Sequence, residues 1–262
     1  EANLIPLFSY TTISLPAITT SYEDLYVVDF NNDTRLDFLV SSLKWPPTVP
    51  GTEAPIQAFQ NNTALNFTAA SPFVGLNSTI HPRDYTVGDF NNDGKSDIFI
   101  ADHGTDVNPF PGIANKLYLQ NSSGQLVNSP ANIPTIPDFS HNTASADIDN
   151  DGDMDVVLAD KNQEESGTYF WCLMNDGSGF LKKRKCGGAL AFGLELADLD
   201  GDGDLDIIHS ADDKKEKGNF WTNWQTGIAY NNGKGKFTYG SVKLSVDMKW
   251  HVPHFEKMLY DN

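Results

Sequence analysis

Four nine-residue stretches carry side-chain oxygens at positions one, three, five and nine: Asp29-Phe-Asn-Asn-Asp-Thr-Arg-Leu-Asp37, Asp89-Phe-Asn-Asn-Asp-Gly-Lys-Ser-Asp97, Asp147-Ile-Asp-Asn-Asp-Gly-Asp-Met-Asp155 and Asp198-Leu-Asp-Gly-Asp-Gly-Asp-Leu-Asp206. A hard cation such as Ca²⁺ takes six to eight oxygens at about 2.3 to 2.6 Å, and a short acidic loop folded round it supplies them. The side-chain donors would be Asp29, Asn31, Asp33 and Asp37 in the first loop and Asp89, Asn91, Asp93 and Asp97 in the second. The third offers Asp147, Asp149, Asp151 and Asp155, and the fourth Asp198, Asp200, Asp202 and Asp206. Position seven, occupied by Arg35, Lys95, Asp153 and Asp204, would add its backbone carbonyl. Position six is Gly94, Gly152 or Gly203 in three loops, which allows the positive φ of a chain doubling back; Thr34 in the first loop is β-branched and strained there. About four Ca²⁺ sites are expected, with the first the weakest.

These loops must be held by strands. Each is followed by an apolar run, such as Phe38-Leu-Val40, Ile98-Phe-Ile100 or Val156-Val-Leu158, and the lead-in Leu194-Glu-Leu-Ala197 alternates, so a helix–loop–helix calcium site is disfavoured. The first positions lie 60, 58 and 51 residues apart, a period that signals a repeat architecture. Each period has room for four strands. The first repeat reads as strands near Tyr26–Val28, Asp37–Ser41, Ile56–Phe59 and Leu65–Thr68; the third as Thr143–Ala146, Asp155–Ala159, Tyr169–Leu173 and Phe180–Lys183. Gly-rich turns such as Asn175-Asp-Gly-Ser-Gly179 and Asn231-Asn-Gly-Lys-Gly235 close the outer hairpins.

On these residues the chain resembles the FG-GAP/VCBS family of calcium-loop β-propellers, which includes the integrin α-subunit head, over nearly all its length. A Phe-Gly element stands only at Phe192-Gly193, so the likeness is nearer the VCBS-type branch. The resemblance implies an all-β propeller of four-stranded blades with the calcium loop between the first and second strands of each. The expected division of residues 1–262 is a single propeller portion with blades at 10–72, 73–134, 135–188 and 189–244. Residues 245–262 would start a fifth, because Leu259-Tyr-Asp261 aligns with Val28-Asp29. Family propellers have about seven blades, so more chain or another subunit would complete the ring; a four-bladed ring whose termini share a blade is the alternative.

Composition narrows the function. Lys plus Arg number 18 against 35 Asp plus Glu, a net charge of −17, and sixteen of the acids lie in the four loops. Nucleic acid is an unexpected partner for such a surface. No run of about 18 apolar residues exists, so no transmembrane helix is expected, and a sequence beginning at Glu1 without a signal segment reads as processed or trimmed. Cys172 and Cys186 flank the turn at Gly177. A hairpin disulfide is the reading, with two buried thiols the alternative; a turn centred on Gly177 sets Cys172 opposite Lys182, so the disulfide requires a bulge or a longer strand end. Sequons mark Asn61, Asn66, Asn77 and Asn121 as glycosylation candidates, with a fifth, Asn32, inside a metal loop. These signs point to a secreted or cell-surface protein.

If the calcium loops line one rim, the strand starts and the second-to-third-strand connections line the other. There the sequence collects His81, Arg83 and His141 with Trp45, His103, Trp221 and Trp224, and aromatic and hydrogen-bonding groups together suit the faces and hydroxyl edges of sugars. Packing is the bland reading of each residue alone, and exposure on one concavity is what ligand contact requires. No catalytic residue is assigned: the carboxylate pairs serve the metal loops, and no Gly-x-Ser-x-Gly, phosphate loop or two-His motif occurs. The reading is an extracellular calcium-binding module that binds a glycan or a protein. A structural subunit of an extracellular assembly, pairing with copies of itself, is the nearest alternative. The resemblance adds a third, the propeller portion of a polysaccharide lyase, in which a His or Tyr acts as base.

Overall fold

The structure is a computed structural model that describes residues 21–44, 52–63, 66–108, 110–160, 170–187, 191–210 and 227–240. Nineteen strands are assigned among the described residues. The first group is β1 (Ser21–Val28), β2 (Asp37–Leu43), β3 (Ala54–Pro55), β4 (Gln57–Thr63) and β5 (Asn66–Ala70). It is followed by β6 (Phe73–Val74), β7 (Ser78–Thr79), β8 (Pro82–Gly88), β9 (Asp97–Asp102), β10 (Lys116–Gln120) and β11 (Leu126–Asn128). The third group is β12 (Ser140–Ala146), β13 (Asp155–Asp160), β14 (Phe170–Met174) and β15 (Lys182–Gly187); the fourth is β16 (Gly193–Ala197), β17 (Asp206–Ser210), β18 (Gly227–Tyr230) and β19 (Thr238–Tyr239).

They build four antiparallel sheets in the orders β1-β2-β4-β5, β8-β9-β10-β11, β12-β13-β14-β15 and β16-β17-β18-β19, with β6 added parallel to β11 and a small β3–β7 pair. Each acidic loop joins the first and second strands of its sheet. The second strands β2, β9 and β13 are buried at every position, which explains their near-continuous apolar sequences. First strands meet in sequence order: β8 touches β1 and β12, and β12 touches β16. The cores lie between successive sheets. Tyr26, Val28 and Leu39 pack on Ile98, Ile100 and Tyr118; Phe99 and Leu117 on Val156 and Leu158; Val157 and Cys172 on Leu194 and Ile207.

Two departures from the sequence reading have clear causes. The fourth strand of the third sheet starts at Lys182 rather than Phe180, because Phe180 is exposed and the Leu181 amide bonds to Asn132 O in the 3-10 turn that follows β11. The first strands of the first three sheets also begin earlier than expected, each with a bulge. The register slips between Tyr22 and Asp24, between Pro82 and Asp84 and between Ser140 and Asn142, each time six residues before a loop opens. Bulge residues Glu23, Arg83 and His141 share no chemistry, so no residue type announces them. Residues 1–20 and the expected fifth-blade start at 245–262 lie outside the described residues.

Cys172 and Cys186 are joined, with Cα atoms 5.7 Å apart. Trp171 pairs with Lys185 and Phe170 with Gly187, so Cys186 is the extra residue of a bulge that brings its sulfur to Cys172.

Candidate metal centres

Position nine is the structural root of every loop. Asp37, Asp97, Asp155 and Asp206 are buried, and one carboxylate oxygen of each accepts an amide from in or just beyond the last residues of the third strand: Asn61 N at 2.8 Å, Gln120 N at 2.7 Å, Asn175 N at 2.8 Å and Asn231 N at 2.8 Å. In the last three loops the other oxygen takes the amide of loop position two, from Phe90, Ile148 and Leu199, whereas Asp37 Oδ2 is buried with no hydrogen-bond partner. Each oxygen keeps a second lone pair for a cation. Burial pushes Asp37 and Asp97 up to about 6 and Asp155 up to about 7, against the amides that favour their charged forms.

Position one organises the rest. Asp29, Asp89 and Asp147 accept the amides of positions five and six, and Asp198 accepts those of Gly201 and Gly203. Position six has φ of 70° at Thr34, 80° at Gly94 and 94° at Gly152 and Gly203. Position four is left-handed too, at Asn32, Asn92, Asn150 and Gly201. The sequence reading missed this second turn, although Asn or Gly in all four copies signals it.

The donor set fits a divalent cation. Asp147, Asp149 and Asp151 each bring an oxygen within 4.8 Å of the others, as do Asp198, Asp200 and Asp206. Asp149 Oδ1 is buried with no hydrogen-bond partner. Burial and then the Asp151 charge raise the Asp149 pKa, against Arg184, so these oxygens crowd where a cation would relieve them. Loops one and two differ: the position-seven cation turns on the loop's own position five, Arg35 on Asp33 and Lys95 on Asp93, the latter at 2.7 Å. In loops three and four, position seven is an acid whose side chain meets the preceding loop. Asn92 Nδ2 donates to Asp153 Oδ1 at 2.8 Å, and Asn150 Nδ2 donates to Asp204 Oδ1 at 2.9 Å.

A second set of inter-sheet bonds was also unforeseen. Gln120 Nε2 reaches Asp29 O at 3.1 Å, Asn175 Nδ2 reaches Phe90 O at 2.8 Å and Asn231 Nδ2 reaches Ile148 O at 2.9 Å. In the last three sheets an amide side chain at the end of the third strand therefore clamps the loop of the sheet before it. An amide just ahead of each outer turn was the signal.

At the opposite end the expected exposure fails. His81, His103 and His141 do come together, with ring centroids 4.9 Å apart for His81 and His103 and 4.7 Å for His103 and His141, but all three are buried. Phe139 lies over His103 at 3.4 Å between centroids, and Phe192 stands against His141, so the ring faces are spent on one another. Arg83 approaches His81 Nε2 at 3.3 Å. Trp45, Trp221 and Trp224 lie outside the described residues. Beside the rings runs a buried polar chain that sequence did not reveal. Asp102 N donates to Asn115, Asn115 Nδ2 to Asp138 at 3.5 Å, and Lys183 joins Asp138 to Asp160, the latter at 3.1 Å, beneath the Trp171 ring. Burial, with Asp160 next to it, pushes Asp138 up to about 7. The concavity where first strands converge, about 380 Å³, is lined instead by residues including Asp84, Thr86, Thr143, Ser145 and Glu195.

Of the sequons, Asn66 is exposed and Asn77 half-buried. Asn61 Nδ2 donates to Leu36 O at 3.2 Å, and the Asn121 side chain closes its own turn through Ser123 N and Gln125 N.

Compared with known proteins, residues 89–158 and 147–209 each match the family model described as the FG-GAP-like repeat. No curated protein matches the chain.

Proposed function

We propose, of a chain that carries FG-GAP-like repeats, that its four sheets are blades of a calcium-stabilised β-propeller acting outside the cell as a binding or adhesion module for a glycan or a protein, without catalysis. The observation that carries this reading is the convergence of three carboxylates within 4.8 Å in loops three and four, each rooted by a buried position-nine Asp. Ca²⁺ would be held by positions one, three, five and nine and by the position-seven carbonyl, and would supply the charge that lets those acids share one loop. The disulfide agrees with an oxidising compartment. Sheets meeting through their first strands in sequence order suit blades round an axis.

Calcium titration by calorimetry, followed by binding to arrayed glycans and extracellular proteins with and without chelator, tests it. About four sites and chelator-sensitive binding are expected; a protein that takes up no calcium ends the reading. A structural role in an extracellular assembly is the second reading, favoured by the burial of His81, His103 and His141. Calcium-dependent self-association with no ligand on either array would select it.

A further inference from the structure

We infer that Asn92 and Asn150 are positioning residues that link calcium loops two, three and four into one cooperative unit, through a bond that the junction of loops one and two lacks. The inference rests on the calcium reading above and adds how the sites communicate.

Both asparagines occupy position four, between donor positions three and five of their own loop, and both are left-handed, with φ of 55° and 62°. Their amides leave the loop. Asn92 donates to Asp153 Oδ1 at 2.8 Å and to Gly177 O at 3.3 Å; Asn150 repeats this with Asp204 Oδ1 at 2.9 Å and Gly233 O at 3.4 Å. Asp153 and Asp204 are position seven of the next loop, where the backbone carbonyl is the expected ligand. The glycines matter because the turn presses on the same carboxylates: a Cβ on Gly177 would lie 2.7 Å from Asp153 Oδ1, and one on Gly233 2.6 Å from Asp204 Oδ2.

A cation in loop two fixes positions three and five, and with them the backbone that aims Asn92. Asn92 then holds Asp153 and the adjoining turn, so part of the ordering cost of loop three is already met when its cation arrives. Coupling of this kind is reciprocal. The chain supplies its own control. Position seven of loop two is Lys95, which accepts no such bond and lies instead on Asp93, so loop one lacks this route to loop two and keeps only the Gln120 contact, of a kind that all three junctions share.

Asn92→Gly and Asn150→Gly remove the amide while keeping a residue that tolerates positive φ, as Gly201 does at position four of loop four. In the full chain, calcium binding at loop three is read from the Gly152 amide by NMR. Emptying loop two with Asp89→Ala should weaken loop three at least about fivefold. Asn92→Gly alone should do the same, and the two together no more than either. Asn32→Gly should leave loop two, read at Gly94, unmoved. Equal weakening by Asp89→Ala with or without Asn92, or none at all, overturns the coupling. A wild-type protein whose loop amides ignore calcium overturns the metal reading beneath it.

Discussion

The two ends of the sheets follow different rules. At the loop end the same bonds recur from sheet to sheet: a buried position-nine Asp taking an amide from the third strand's end region (and in the last three sheets a second from position two), a position-one Asp taking two more, and left-handed turns at positions four and six. At the other end each sheet solves its packing separately. The second strands of the middle sheets end in Asp102 and Asp160, which accept the amides of His81 and Phe139, whereas the outer two end in Leu43 and Ser210. His81, His103 and His141 meet edge to face at one place, where Phe139 packs on His103 and His141. A cation site constrains oxygens one by one and so imprints its spacing on every copy; a packed end need only fill volume and satisfy its polar groups.

The largest expected effect breaks the loop end alone. Chelation should lower the melting temperature steeply, since each site at a thousandfold excess over its Kd contributes about 4 kcal/mol. Circular dichroism melts in calcium and in excess chelator, with metal removal verified, would show the loss. An unchanged melt would mean that the loops fold without a cation.

The opposite end should break at Lys183. Lys183→Ala leaves Asp138 and Asp160 buried beside each other without their cation, and removing one partner of such a group costs about 3 to 5 kcal/mol. Denaturant unfolding in saturating calcium at pH 8.5, above the Asp138 value of about 7, measures this; a cost below about 1 kcal/mol would show that the pair does not depend on the lysine.

Protonation of Asp138 at lower pH gives a smaller effect. The Asp138 carboxyl rises from 3.8 to about 7 on folding, chiefly through burial. The folded state therefore holds a proton that the unfolded state has released, so stability is greater near pH 4 and is lost as pH rises through about 7. With calcium saturating the loops, stability should climb on acidification from pH 7.5 to 5.5, and Asp138→Asn should flatten the slope. A slope unchanged in that variant would assign the effect to other groups.

Sequence revealed the loop end far better than the other. Acids at a fixed spacing, apolar second strands and Gly-rich turns placed each four-stranded sheet to within a few residues, because each of those features has one dominant physical cause. The Asn92–Asp153 and Asn150–Asp204 bonds were hidden although both partners stood inside the motif, since position seven was needed only for its carbonyl. Lys183 in a Lys-Lys-Arg-Lys run looks like a solvated edge, and only the fold shows its amine carried inward past Trp171 to Asp138. Histidine exposure was misjudged for a related reason. Spacing says which residues share an end, but whether rings face solvent or one another depends on neighbours such as Phe139 and Phe192, which arrive from other connections.

The smallest effect separates the loops from one another. Thr34 holds φ at 70°, where Gly94, Gly152 and Gly203 serve in the other loops. A β-branched residue in that region is strained by about 1 to 2 kcal/mol, and some of this is returned when Gly loosens the unfolded chain, so Thr34→Gly should gain less than about 1 kcal/mol. Arg35 adds a second handicap by lying on Asp33, which a cation must share. Loop one should therefore bind calcium most weakly, with Thr34→Gly tightening it several-fold and leaving loops three and four untouched. Calorimetric titration of variants that keep one loop at a time ranks the sites, and a first loop that proves tightest would show that neither the backbone strain nor the arginine governs affinity.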